Sequence, residues 1–231
     1  DEGVQVYTPV VREEQHSAIH AVNAIDPVYI ETAGKIIEAA EKVFDSINGD
    51  ILLPLADHLA FAARRERENI FLSNPFIPDI KILFGKEYAV ALESRSIIEE
   101  MTGYRISDDE AGFIALHIHS GLSDEAVSET LKATQLIDES MQIIEEHLEK
   151  EMQKEALNYI RLMSHLYYMV VRTKTGEAVN IDLNEFVQEK YPEAMKIAAL
   201  ICDNMAEKLE RQIMQEEVGF LAIHIQRMIA A

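Results

Sequence analysis

A ten-residue segment in the middle of the chain returns almost unchanged near its end. Residues 109–118 (DEAGFIALHI) and 216–225 (EEVGFLAIHI) are identical at six positions and similar at the other four. The gap-free shift that carries position 109 onto position 216 also places LADHL (55–59) on LMSHL (162–166) and Arg65 on Arg172. A period of that length is a whole domain, because solenoid repeats are only about 20–50 residues long. The sequence therefore predicts a tandem duplication of one domain.

Helical periodicity dominates both copies. From Ile30 to Phe44, apolar residues recur at three- and four-residue spacing, and the pattern stops before Asn48-Gly49. Similar patterns recur through most of the chain, whereas alternating strand patterns are rare. Val4 to Val11 is the best strand candidate, and Pro9 restricts it to an edge or a terminal piece. The predicted fold class is all-α, with two tandem homologous helical bundles.

The charge of the chain argues against direct contact with nucleic acid. Among 231 residues, 41 are acidic and 21 basic, which gives a formal net charge of −20, and both halves are acidic. A nucleic-acid surface needs a clustered basic face, and the one dense basic cluster, Arg64, Arg65 and Arg67, is interleaved with glutamates. We therefore expect no RNA or DNA binding by these domains themselves.

The sequence also predicts where the protein works. Cys202 is the single cysteine, so no intramolecular disulfide can form, and no apolar run approaches the length of a membrane span. No signal peptide is recognisable. These features favour a cytoplasmic protein without membrane insertion. The chain opens at Asp1 and not at methionine, so we expect a fragment whose upstream domain is missing.

Each copy of the repeat contains two histidines at the same separation along the chain: His58 and His117, then His165 and His224. A single histidine in an apolar helical run is usually a half-buried packing residue. If the histidines only filled space in the packing, however, leucine or glutamine could replace them in one copy, whereas here both copies keep both imidazoles. The duplicated pairs are therefore the candidate functional residues.

Imidazole can bind a metal, act as an acid or base, or accept a phosphoryl group. No carboxylate recurs three or four residues from all four histidines, so we predict no metal site and no cofactor. Phosphate-loop, serine-nucleophile and cysteine–histidine motifs are absent too, and nothing argues for an enzyme. The remaining histidines receive no role in this interpretation: His16, His20, His119 (expected at the surface) and His147.

The segments LADHLAFAARRE and DEAGFIALHIHS, with their counterparts one repeat later, resemble the tandem phosphotransferase-system regulation domains (PRDs) of the beta-glucoside and glucose antiterminator family. The resemblance covers roughly residues 26–231. It implies a bundle of about five helices per domain, with a linker or the end of an RNA-binding domain at 1–25, a first domain at 26–121 and a second at 122–231.

The resemblance also implies a mechanism. Such domains are reversibly phosphorylated on histidine by HPr and by a sugar-specific permease, here on His58, His117, His165 and His224. They form homodimers and contact RNA through a separate N-terminal domain. Arg65 and Arg172 lie two helical turns beyond His58 and His165 and are candidate phosphate partners; the alternative is that they are ordinary surface arginines. Asp57, which precedes His58, is the third candidate partner.

One dipeptide differs between the two copies. The first has Asp57 before His58, whereas the second has Ser164 before His165, so a carboxylate that could orient the first imidazole is absent from the second. Three other hypotheses remain at this point: the same regulation domains in a DNA-binding activator, a metal-dependent helical enzyme, and a helical scaffold whose histidines only pack.

Overall fold

The computed structural model describes residues 25–123 and 125–230, and every regular element within these ranges is a helix. The all-α prediction is confirmed for this part of the chain. The strand expected at Val4 to Val11, like His16 and His20, lies outside the described residues. None of the described helices is long and apolar enough to cross a membrane.

Equivalent helices follow one another in the two copies. The first copy contains α1 (Pro27–Glu41), a 3-10 turn (Gly49–Ile51), α2 (Leu52–Arg67), α3 (Ile77–Leu83), α4 (Gly85–Glu93), α5 (Arg95–Thr102) and α6 (Asp108–Ser123). The second contains α7 (Val127–Leu148), α8 (Leu157–Thr175), α9 (Asn184–Lys190), α10 (Pro192–Leu209) and α11 (Gln215–Ile229). The second copy has the five helices that the resemblance implies.

The first copy differs from the second in its fourth helix, which is divided into α4 and α5 at Ser94. The fully buried Ser94 hydroxyl donates to the Val90 carbonyl at 2.8 Å, one turn earlier. The same kind of bond, which can bend a helix, also occurs within the continuous helices α7 and α8, so it does not by itself account for the division. The equivalent position in α10 is Ile201, which has no hydroxyl, and that helix is continuous.

Local sequence fixes several helix ends. Asp26 caps α1 by accepting from the Val28 amide at 3.1 Å, and Pro27 occupies the first turn, where its missing N–H costs nothing. Helices α5 and α8 end at Gly103 and Gly176, whose φ angles of 70° and 74° are left-handed. Glycine adopts this conformation without steric cost, so both helices end with the same type of cap.

The described residues pack as two compact units. Unit 1 comprises residues 25–74 and 86–123, and unit 2 comprises 75–85 and 125–230. Helix α3 belongs to unit 2, where it contacts α7 and α8, and Phe84 lies edge-on to Tyr167 with ring centroids 5.4 Å apart. The sequence division into 26–121 and 122–231 follows the repeat, and the division by packing differs from it at 75–85 and at 122–123.

Asp79 on α3 is a buried carboxylate within unit 2. Its side chain is almost completely buried, and Oδ1 has no hydrogen-bond partner among the described residues. Burial raises the pKa of Asp79 to about 6 from its usual 3.8, Lys154 opposes that shift, and Asp138 adds to it. The ionised form therefore opposes folding at neutral pH.

We expect the Asp79→Asn substitution to stabilise unit 2 by about 2 kcal/mol at pH 7.5. Raising the pKa by about two units lowers the free energy of unfolding at pH 7.5 by about 3 kcal/mol, and asparagine recovers most of this. The unsatisfied amide of the new side chain reduces the gain. A raised native pKa contributes stability that is complete below about 3.8 and is lost as pH rises through about 6. The advantage of asparagine should thus be largest above pH 6 and shrink toward pH 4 in urea unfolding.

The exposed Asp203 on α10 provides the matched control, because Asp203→Asn removes a carboxylate from the surface of the same unit. Its effect should stay within about 0.5 kcal/mol. An Asp79→Asn protein less stable than the parent at pH 7.5 would contradict a buried, poorly solvated carboxylate.

Candidate functional site

The predicted histidine pairs come together in both units. His58 on α2 faces His117 on α6, with ring centroids 5.1 Å apart and an interplanar angle of 45°. His165 on α8 stacks on His224 of α11 at 4.6 Å and 24°. Each pair bridges the two helices that carry the repeated motifs, so equivalent residues build equivalent sites.

A glutamate completes the site in unit 1. Glu110, in the first turn of α6, lies with Oε2 at 3.0 Å from His58 Nε2 and with Oε1 at 2.7 Å from Arg65 Nη2. Its side chain is only 7% exposed. Burial alone would raise the pKa of Glu110, but contact with His58 and Arg65 outweighs burial and lowers it. The carboxylate is therefore an ionised, buried counter-ion.

Glu217 occupies the same place in unit 2. Its Oε1 lies 2.6 Å from Arg172 Nε, its Oε2 lies 3.0 Å from Arg172 Nη2, and Oε2 is 3.7 Å from His165 Nε2. This two-pronged arrangement is the strongest geometry available to an arginine–carboxylate pair. Arg65 and Arg172, predicted as phosphate partners, thus each bind a glutamate in this state.

Sequence reasoning missed both glutamates, although a signal was present. Glu110 and Glu217 are among the six identical positions of the repeated segment, seven residues before His117 and His224. Seven residues is two helical turns, which keeps the side chains on one face. The search for partners three or four residues away could not find them.

Asp57 does not share the site. Its side chain is exposed on α2, and no hydrogen bond or ion pair joins it to another described residue. Orientation of His58 by Asp57 thus has no support from the contacts of this state, in which Glu110 faces the imidazole instead.

The electrostatic environment keeps the imidazoles of His117, His165 and His224 neutral. Burial, reinforced by the neighbouring His58, lowers the pKa of His117 to about 3. Burial together with His224 and Arg172 lowers the pKa of His165 to about 3. The pKa of His224 is lowered as well, first by burial and then by Arg227 and Arg161. A neutral imidazole retains the nitrogen lone pair that a nucleophile requires.

Among the described residues, the remaining titratable groups build no comparable site. His119 was expected at the surface, but it is half-buried, with Nδ1 3.0 Å from Glu87 Oε1; His147 is exposed and contacts the Ile143 carbonyl. Burial raises the pKa of the Cys202 thiol to about 12, so it stays protonated. No three of the described histidine, cysteine or acidic side chains are placed to hold a metal ion.

The lowered pKa of His165 predicts a pH-dependent stability. An imidazole that titrates near 6.5 when unfolded and near 3 when folded gives stability that is complete above 6.5 and is lost as pH falls. From this residue alone we expect a loss of about 1.4 kcal/mol between pH 7.5 and 5.5. Urea unfolding of the parent and of His165→Gln should reveal it as a difference in pH dependence.

The control for that experiment is His147→Gln, which removes an exposed imidazole from the same unit. It should leave the pH dependence of the parent unchanged. If His165→Gln also leaves it unchanged, the imidazole of His165 is not held neutral by burial.

Comparison with known protein families finds one whose sequence pattern this chain contains twice. The sequence profile described as the PRD domain matches the chain twice, at residues 34–121 and 138–228. Each match contains one complete histidine, glutamate and arginine cluster.

Three similar proteins are antiterminators by name. The beta-glucoside operon antiterminator of Dickeya chrysanthemi is 32% identical over 86% of this chain and 72% of its own length. Transcription antiterminator LicT of Bacillus subtilis is 29% identical over 87% of this chain and 74% of its own. The GlcA/glcB genes antiterminator of Staphylococcus carnosus is 27% identical over 96% and 78%, respectively.

Proposed function

This chain belongs to the PRD domain family, and from that premise we propose that it is the phosphorylation-controlled regulatory part of a bacterial transcription antiterminator. The observation that carries the proposal is the duplicated cluster: in each unit two neutral or partly buried imidazoles lie beside an arginine held by a glutamate. The similarity to named antiterminators supports the regulatory role.

The chemistry proposed for the site is phosphoryl transfer from a phosphohistidine of HPr or of a sugar-specific permease. The lone pair of one ring nitrogen forms the new N–P bond while the N–P bond of the donor breaks, and its electron pair returns to the donor nitrogen. Each ring keeps the proton on its other nitrogen, so no further reactant is needed. Low imidazole pKa values favour this step, because the nucleophile is unprotonated at neutral pH.

Phosphorylation changes the charge of the site. A phosphoryl group brings up to two negative charges and three acceptor oxygens, and it must act through an element with two states. We propose that this element is the interface of a homodimer in the cytoplasm, and that RNA is bound by a separate domain. The acidic composition of the chain supports RNA binding by a separate domain, since a net charge of −20 repels RNA.

Incubation of the chain with phosphoenolpyruvate, the general phosphotransferase enzyme and HPr tests the proposal by intact-mass spectrometry at neutral or alkaline pH. We expect phosphoryl incorporation that a variant with His58, His117, His165 and His224 all changed to asparagine does not show. A folded parent chain that takes up no phosphoryl group from HPr or from a permease domain would contradict the proposed function.

A further inference from the structure

The two nitrogens of each imidazole are not equivalent in this structure. The Nε2 atoms of His58 and His165 are buried and make no aligned hydrogen bond, but a carboxylate oxygen lies beside each of them, Oε2 of Glu110 at 3.0 Å and Oε2 of Glu217 at 3.7 Å. The Nδ1 atoms of the same rings make no hydrogen bond to a described residue and are not among the buried unpaired atoms. In both units, therefore, the glutamate covers one nitrogen and leaves the other open.

A carboxylate beside a neutral imidazole selects its tautomer. An ionised carboxylate accepts hydrogen bonds and cannot donate one, so it stabilises the ring whose facing nitrogen carries the proton. Arg65 and Arg172 hold the two glutamates in place through contacts of 2.7 and 2.6 Å. With the proton on Nε2, the lone pair of His58 and of His165 resides on Nδ1.

We propose that Glu110 and Glu217 are positioning residues that direct phosphoryl transfer to Nδ1 of His58 and His165, so that the product at both positions is the 1-phosphohistidine isomer. This inference rests on the proposed function. The lone pair of Nδ1 forms the N–P bond, the donor nitrogen recovers its electron pair, and Nε2 keeps its proton toward the glutamate.

The second imidazole of unit 1 has the opposite arrangement. The Nδ1 atom of His117 is buried without a hydrogen-bond partner among the described residues, whereas Nε2 is not among the buried unpaired atoms. No glutamate faces this ring within ion-pair distance in the described residues. Tautomer selection by a carboxylate therefore applies to His58 and His165 and does not extend to His117, although the two rings of unit 1 lie 5.1 Å apart.

The proposal is tested with a full-length variant in which His58 is the one remaining site histidine, the other three being changed to asparagine. After phosphorylation by HPr, ³¹P NMR and isomer-selective antibodies report the ratio of 1- to 3-phosphohistidine. We expect the 1-isomer to predominate about tenfold or more, because the carboxylate attracts the N–H form of the nitrogen beside it. A predominant 3-isomer on His58 overturns the proposal.

Glu110→Gln in the same background is the informative variant, because an amide can donate or accept and no longer selects one tautomer. We expect the isomer ratio to fall about tenfold. Glu87→Gln is the matched control, since Glu87 is a buried glutamate of the same unit that contacts His119 instead. If Glu110→Gln leaves the isomer ratio unchanged, Glu110 has only a structural role and does not select the phosphorylated nitrogen.

A measurement without phosphoryl transfer separates this inference from the proposed function. Nitrogen-15 chemical shifts of His58 and His165 in the unphosphorylated parent should report a protonated Nε2 and an unprotonated Nδ1. The opposite tautomer overturns the inference whether or not the chain is phosphorylated. Absence of phosphorylation combined with the expected tautomer contradicts the proposed function, while the selection of the tautomer by glutamate is supported.

Discussion

We expect the Glu217→Gln substitution to lower the free energy of unfolding of unit 2 by about 3 kcal/mol or more. The Glu217 side chain is 1% exposed and pairs with Arg172, whose side chain is 21% exposed. Removing one partner of such a pair leaves the other charge poorly solvated, which typically costs about 3–5 kcal/mol. Glutamine keeps the shape of the side chain, so the loss reports charge and not a cavity.

An exposed pair in the same unit is the matched control. Glu189 and Lys190 have side chains 72% and 53% exposed, and Glu189→Gln should change stability by less than about 1 kcal/mol, because solvent screens such pairs. Urea unfolding of both variants measures the difference. If Glu217→Gln is as mild as Glu189→Gln, the arginine is solvated well enough to stand alone, and the buried counter-ion has no stabilising role.

The second large effect is expected on the proposed homodimer. Two dianionic groups placed about 8 Å apart across a symmetric interface repel by about 2 kcal/mol at the dielectric constant of water and by about 8 kcal/mol at an effective value near 20. Moving a two-state equilibrium from 1:99 to 99:1 takes about 5.5 kcal/mol. The repulsion between two equivalent phosphohistidines is therefore large enough to switch the association of two copies of the chain.

The sign of the effect should differ between the units. In unit 2, Arg161 and Arg227 lie close enough to His224 for their charge to lower its pKa, and the equivalent positions of unit 1 are Pro54 and Ser120. Arginines that meet a phosphoryl group turn repulsion into attraction. We expect negative charge to loosen association through unit 1 and to tighten it through unit 2.

Aspartate substitutions test this expectation, because they add part of the charge of a phosphoryl group. Sedimentation and small-angle scattering should show weaker association for the His58→Asp, His117→Asp chain and stronger association for the His165→Asp, His224→Asp chain. His147→Asp, which adds charge at an exposed helical position, is the control. Two double variants that behave like the parent would contradict a dimer switch even if the phosphorylation sites are correct.

Much of the site followed from the sequence because the chain contains it twice. One gap-free shift aligned His58 with His165 and His117 with His224, and helical periodicity placed all four histidines on helices, which the structure brings face to face in pairs. The relation between Glu110 and Arg65 could not be read in the same way. It depends on how α6 packs across α2, a contact between residues 45 positions apart.

The packing of α3 was also beyond the sequence. Ile77–Leu83 aligns without a gap on Asn184–Lys190, so the repeat by itself predicts that both helices pack within their own copy. Helix α9 does so, whereas α3 buries Ile80 and Phe84 within unit 2. An apolar helix face specifies that it must be covered but does not specify by which neighbour, because the hydrophobic effect is non-directional.

Mapping the phosphorylated residues of the parent chain tests the central claim most directly. After phosphorylation by HPr or a permease domain, tandem mass spectrometry at alkaline pH should place the phosphoryl groups on His58, His117, His165 or His224. His119 and His147 should stay unmodified, since His119 is half-buried against Glu87 and neither recurs in the repeat. Phosphoryl groups found mainly on His119 or His147 would contradict the account, because neither belongs to a duplicated imidazole pair.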